Sequence, residues 1–393
     1  MAPPLPPLER VLEPYRAQPT LRNTPLTILH FVLTFAALVV QLPFHLVSHY
    51  VLRRSSSPLV QTVGRHPLAQ VASRVIRSSF GNTYLAASRG IFAMQLGWRD
   101  EWIRRVDVDG LKGVWVSPPR SERKDDELVL YWIHGGAFTY DIIGSNLPFF
   151  KALAVRMNAT GTTRFSIFML DYRLAPEYVY PAQVIETERG YRYLTETLSI
   201  PSDRISIGGD SAGANLVTSF LLHLARANAA VDEALGSRPT VEKPSSTILM
   251  SPFASLISSC ASRTASAKTL VDFLESANVT LGAFQYLGLD PTPQGLVAGP
   301  SWDPRRWFGF RQGEEPEDLF ERAMIDSTAR DGNDDEQNCP NCSNGTNGTF
   351  ATHARTINSF GRDPYLNPDP RVVKDLEWYK AAFPGQGRTV VTY

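Results

Sequence analysis

The chain has 393 residues, 43 % hydrophobic and 20 % charged, an ordinary globular make-up that permits one large core or two modest ones. Its 39 basic and 39 acidic side chains cancel, so no bulk field draws nucleic acid, and none is expected as a partner. Three cysteines exclude a disulfide framework; Cys339 and Cys342 form a lone C-x-x-C, open to a small local bridge, and no metal is expected.

Residues 1–25 are proline-rich and read as a disordered tail. From Leu26 to Val47 the chain runs 22 residues without a formal charge, enough to cross a bilayer core as a helix. His30, Gln41, Pro43 and His45 interrupt it, so three readings stay open. It is a membrane anchor (placed at 26–52), a helix lying in the interface, or a helix buried under a cap. Arg10, Arg16 and Arg22 before it balance Arg53, Arg54 and Arg65 after it, which leaves orientation undetermined. N-x-S/T signals occur at Asn158, Asn278, Asn341, Asn344 and Asn347; single ones arise by chance, and the last three, packed into one polar loop, favour a lumenal domain on an endoplasmic reticulum membrane.

Residues 53–393 are read as one domain with helical cap elements at 53–100 and 254–363, the latter holding a polar insertion at about 331–349. Asp109-Gly110 lies between short β-branched runs and predicts a hairpin. Leu128–Ile133 has the length and composition of a buried strand, as does the run from Arg164 to Leu170. A helix is expected from Pro181 to Leu198, then a strand ending in Gly208-Gly209, a helix from Ala214 to Ala230, and a strand from Thr247 to Pro252. Strand and helix in alternation imply a mostly parallel sheet with helices on both faces, the α/β class.

Two motifs in this frame carry chemistry. Gly209-Asp210-Ser211-Ala212-Gly213 fits G-x-S-x-G between a strand and a helix, where a sharp turn lifts a serine hydroxyl clear of the backbone. His134-Gly135-Gly136-Ala137 follows another predicted strand, as a loop offering N–H groups to an oxyanion does. Ser211 is therefore the candidate nucleophile. Gly136, Ala137 and Ala212 are the candidate oxyanion donors, and Gly135 shapes their loop. With Asp171-Tyr172-Arg173-Leu174-Ala175-Pro176-Glu177 downstream, these motifs resemble the hormone-sensitive-lipase branch of the α/β-hydrolases over about residues 100–260. Within it the chain is similar to steryl acetyl hydrolases and arylacetamide deacetylases. The resemblance implies a membrane-associated carboxylic ester hydrolase without cofactor, acting on small hydrophobic esters.

It also implies a triad acid after the strand that Arg388–Tyr393 resembles, and a histidine later still. The chain ends at Tyr393, so both are expected to be missing, together with a C-terminal strand and helix. His223, twelve residues beyond Ser211, would lie about 18 Å away along a helix axis, out of reach. His134 is expected to be structural, and His353 is a remote substitute. A truncated hydrolase is the favoured reading, a natural non-catalytic binder of an apolar ligand the rival. Loss of triad members costs about 10⁴- to 10⁶-fold in turnover. Asp210, Asp171 and Arg173 are expected to make structural contacts.

Overall fold

The computed structural model describes residues 6–17, 100–119, 128–160, 163–226, 229–235, 241–254, 282–288, 363–368, 375–385 and 389–392, with positions 256 and 373. Its elements, in chain order, begin with α1 (Leu8–Leu12), β1 (Ile103–Val108), β2 (Leu111–Val116) and β3 (Leu128–Ile133). Then come α2 (Ile143–Thr160), β4 (Phe165–Leu170), α3 (Ala182–Arg192), β5 (Ile205–Asp210) and α4 (Ala212–Ala225). α5 (Ala229–Leu235), β6 (Ser246–Met250), α6 (Leu376–Ala382) and β7 (Thr389–Thr392) complete the described elements.

The strands form one sheet in the order β1-β2-β4-β3-β5-β6-β7, antiparallel at β1/β2 and β2/β4 and parallel from β4 onward. β1 and β2 join through Asp109 and Gly110, both at positive φ, the two-residue turn their sequence predicts. β3 and β4 are buried along most of their length, which is why they read as continuous apolar runs instead of alternating ones.

Period-2 alternation still sorts their side chains between the two faces. Tyr131, Ile133, Phe168 and Leu170 belong to a core shared with α1, α3 and α4, whereas Leu130, Trp132, Ile167 and Met169 pack with Ile143, Leu147 and Phe150 of α2. The layered α/β architecture expected from the sequence is present.

α3 ends earlier than predicted: its α-helical turns stop at Arg192 and a wider π turn covers Tyr193–Thr197, with Pro181 outside as the N-cap. All eleven residues of α3 are buried, charged ones included, because α4, α5 and β2 pack around it. Residues 6–17, expected as part of a disordered tail, are ordered there. Leu8 and Leu12 are fully buried, Arg189 donates to the Pro6 carbonyl at 3.0 Å, and Leu8 N–H donates to Asp109 O at 3.1 Å. Three apolar residues at helical spacing (Leu8, Val11, Leu12) supply the stripe that burial needs.

Parts of the stretch expected as cap are also packed. Tyr286 and Phe284 in the helical turn at 282–288 are buried, as is Leu256. No helix among the described residues is long and apolar enough to cross a membrane. The expected anchor at 26–52, the cap at 53–100 (bar position 100), the insertion at 331–349 and His353 lie outside the described residues.

Candidate active site

Ser211 stands between the end of β5 and the start of α4 with φ 50° and ψ −117°. A non-glycine residue in that region is strained and persists only where its surroundings over-determine it. Here the surroundings are backbone hydrogen bonds. Ser211 N–H donates to Met250 O at 2.9 Å, and Ser211 O accepts from Asn215 N–H at 3.2 Å and Phe253 N–H at 3.0 Å. The end of β6 thus clamps the elbow.

The flanking glycines are explained by contact distances. A Cβ on Gly209 would meet the Gly213 carbonyl carbon at 2.6 Å, and one on Gly213 would meet Ile133 O at 2.1 Å and His134 O at 2.6 Å. Only bare backbone lets strand, turn and helix close up this tightly.

β3 and β5 are parallel neighbours, with Ile133 opposite Gly209, so the loops that follow them leave the same edge of the sheet. The first of these loops is left-handed at three successive residues, Gly136 (φ 103°), Ala137 (φ 51°) and Phe138 (φ 62°). Successive backbone N–H groups in a tight turn can form a concave site suited to an anion. Gly136 O holds the curl closed by accepting from Thr139 and Tyr140 N–H, each at 2.9 Å.

Gly135 N–H is committed elsewhere, donating to Asp210 Oδ1 at 3.0 Å. A Cβ at Gly135 would lie 2.4 Å from Asp210 Oδ2, so Gly135 shapes the loop, and Gly136 and Ala137 remain its candidate donors. Ala212 begins α4, where the first N–H groups of a helix lack intrahelical acceptors.

Asp210 ties the oxyanion loop to the elbow. Burial raises its pKa; the nearby His134 and the Gly135 N–H act in the opposite sense. Burial also raises Asp171, with the charge of Asp141 adding to the effect. Arg173 packs as a structural residue: its backbone N–H and Nη1 reach the two carboxylate oxygens of Glu186 at 2.7 and 2.5 Å, and Nη2 pairs with Glu9. Burial pushes Glu186 up to about 7 despite that partner.

Neither described histidine is held as a base for Ser211. The His134 ring is buried, stacks on Tyr172 with centroids 4.2 Å apart, and places Nδ1 2.7 Å from Gly135 O. His223 pairs through Nε2 with Glu188 Oε2 at 2.7 Å, on the α3 side of the sheet. No group of residues suited to a metal occurs among the described residues.

Sequence reasoning missed the aromatic wall beside the loop. Phe138 stacks on Tyr286 at 3.8 Å and 4°, Phe253 lies 6.3 Å from Phe138, and Gly282 sits 3.0 Å from the Ala137 methyl, measured from its ideal Cβ position. Tyr286 is separated from Phe138 by 148 positions, and no local pattern marks such a pair.

A family model described as the alpha/beta hydrolase fold matches residues 130–301. The chain is 30 % identical to an acetyl-hydrolase of Streptomyces hygroscopicus over 187 residues, covering 47 % of this chain and 54 % of that one. It is 30 % identical to the hormone-sensitive lipase of Homo sapiens over 168 residues, covering 40 % of this chain and 15 % of that one. The chain thus spans about half, or less, of the length of these curated relatives. A solved esterase from the bacterial hormone-sensitive lipase family aligns over 59 % of this chain and 73 % of that one, with 25 % identity and a TM-score of 0.40. The matched stretch, holding both the Ser211 elbow and the glycine loop beside it, has the α/β-hydrolase fold and is similar to members of the hormone-sensitive-lipase branch.

Proposed function

We propose that this protein hydrolyses carboxylic esters through an acyl-enzyme on Ser211. The observation that carries the reading is the strained Ser211 on the same sheet edge as the left-handed loop at 136–138. Ser211 Oγ attacks the acyl carbon while its proton leaves to a base. The amides of Gly136, Ala137 and Ala212 hold the tetrahedral oxyanion, and the bond to the alcohol oxygen breaks as that oxygen takes the proton. Water then repeats the sequence on the acyl-enzyme and returns Ser211. Neither described histidine is placed to take that proton, and no cofactor enters the scheme.

The substrates proposed are short acyl esters of hydrophobic alcohols, acetylated sterols among them, with the partly exposed Phe253 near the loop as an apolar contact. The similarity to an acetyl-hydrolase points the same way. The uncharged run at 26–47 supports attachment to a membrane, and the N-x-S/T signals at 341, 344 and 347 support a lumenal domain at the endoplasmic reticulum. Resistance to alkaline carbonate extraction and a mass loss with endoglycosidase test that placement.

A second reading, a binder of an apolar ligand without turnover, is favoured by the commitment of both described histidines to other partners. A fluorophosphonate probe separates the two. Covalent labelling of the parent and none of Ser211→Ala supports hydrolysis; no labelling of folded parent protein supports binding alone.

A further inference from the structure

The N-terminal segment at 6–17 also pairs with the chain at 177–179. At its end Ala17 N–H donates to Glu177 O at 2.8 Å, Val179 N–H donates to Tyr15 O at 3.0 Å, and Arg16 bridges Tyr178 in antiparallel fashion. This short pairing seizes the middle of the segment running from Arg173 to Pro181. The same segment holds the oxyanion loop on its other side. Ala175 N–H donates to Phe138 O at 2.9 Å, and Tyr180 N–H donates to Tyr286 O at 2.9 Å, the tyrosine whose ring stacks on Phe138. Phe138 is the third of the three left-handed residues and directly follows the candidate donor Ala137.

We infer that residues 6–17 are a strap that positions the oxyanion loop, acting through the segment at 173–181. Two anchors hold the strap itself. Leu8 and Leu12 are buried in the main core, and Glu9 pairs with Arg173, which is fixed from beneath by Glu186. The loop needs such support because three residues, two of them non-glycine, sit in a conformation they disfavour. Donors act only when placed about 2.7–3.1 Å from where the oxyanion develops. A misplacement of about 1 Å from a distant change can cost about 100-fold in rate. The strap rests on the esterase reading for its purpose, but its mechanical effect does not need turnover to be seen.

Ala17→Pro removes one N–H donor from the pairing and leaves Leu8, Leu12 and Glu9 in place; Ala17→Gly keeps the donor. Hydrogen exchange by mass spectrometry on the intact chain reads the Thr139 and Tyr140 amides, with β4 at 165–170 as the reference for global opening. The strap predicts exchange at 139–140 about tenfold faster in Ala17→Pro, β4 unchanged, and Ala17→Gly like the parent. Fluorophosphonate labelling of Ser211 should slow about tenfold in the same variant. Unchanged exchange at 139–140, or a matching rise in β4, overturns the strap. The predicted exchange pattern with no labelling of either protein upholds the strap and sinks the esterase reading.

Discussion

Gly213 carries the most severe steric constraint around Ser211. Its missing side chain leaves 2.1 Å between an ideal Cβ and Ile133 O, and the neighbour is backbone that cannot rotate away. Gly213→Ala must push the nucleophile helix off the end of β3. Overpacking of this kind costs about 1–3 kcal/mol, so the urea midpoint should fall and Ser211 labelling should disappear. A variant that keeps both would contradict the packing described for the elbow. Asn158 shows how a local motif is reassigned by its neighbours. Its N-x-T signal reads as a glycan acceptor, yet Nδ2 donates to Ala154 O and Phe165 O, each at 2.7 Å, and Oδ1 accepts from Phe165 N–H at 3.1 Å. The side chain latches α2 to β4. We expect unmodified Asn158 in peptide mapping of secretory-pathway material, and a loss of about 1–3 kcal/mol in Asn158→Ala from the stranded backbone groups.

Between elements, the buried ion cluster joining α3 to α4 is the clearest electrostatic device. Glu188 accepts from Arg192 Nε at 2.8 Å and pairs with His223 Nε2 at 2.7 Å, with Glu196 on Arg192 and Asp232 at 3.9 Å from the imidazole. Burial alone would raise Glu188; the hydrogen bond and charge of His223, with Arg192, outweigh it and hold the carboxyl below its ordinary 4.5. A depressed carboxyl contributes stability above the unfolded-state value and loses it as pH falls through the folded one. Glu188 therefore stabilises the fold above about pH 4.5, and acidification removes that share. Glu188→Gln should be less stable at pH 7, by about 1–3 kcal/mol, and should lose less on going from pH 5 to pH 3 than the parent does. Parallel urea titrations at pH 7, 5 and 3 give both numbers. If the two proteins keep a constant difference at all three, the cluster is not the source of the acid sensitivity.

Among the described residues, the sheet is buried at its centre and exposed along its edge strands, most fully at β7. β7 is paired with β6 on one side, and all four of its residues are exposed, Val390 at 48 % and Val391 at 41 %. Ser251 N–H nevertheless donates to Thr392 O, one step from the Met250 carbonyl that holds Ser211, so the edge strand reaches the site through backbone alone. An exposed apolar edge is a template for association. Val391→Lys should change stability by less than about 0.5 kcal/mol, the usual scale for a surface change. It should also suppress concentration-dependent growth in sedimentation or light scattering. Equal association of parent and variant would mean that this edge is not the sticky one.

The amino-acid sequence by itself determined the elements whose signals are local. β3 and β4 are short apolar runs, the 109–110 hairpin carries an Asp-Gly turn, and the elbow is marked by glycines that sterics demand at fixed spacing. Those features were legible because each depends on residues within a few positions of one another. Tertiary structure decided the rest. Residues 6–17 look like a disordered tail because three apolar positions among prolines carry little signal, yet Leu8 and Leu12 are buried in the main core and Pro6 accepts from Arg189, 183 positions away. The charged residues of α3 are buried with partners, Arg173, His223 and Pro6, that come from other elements. Phe138 and Tyr286 meet only once the sheet has brought their loops to one edge. Burial and pairing across long separations are properties of the assembled packing, and no spacing rule along the chain encodes them.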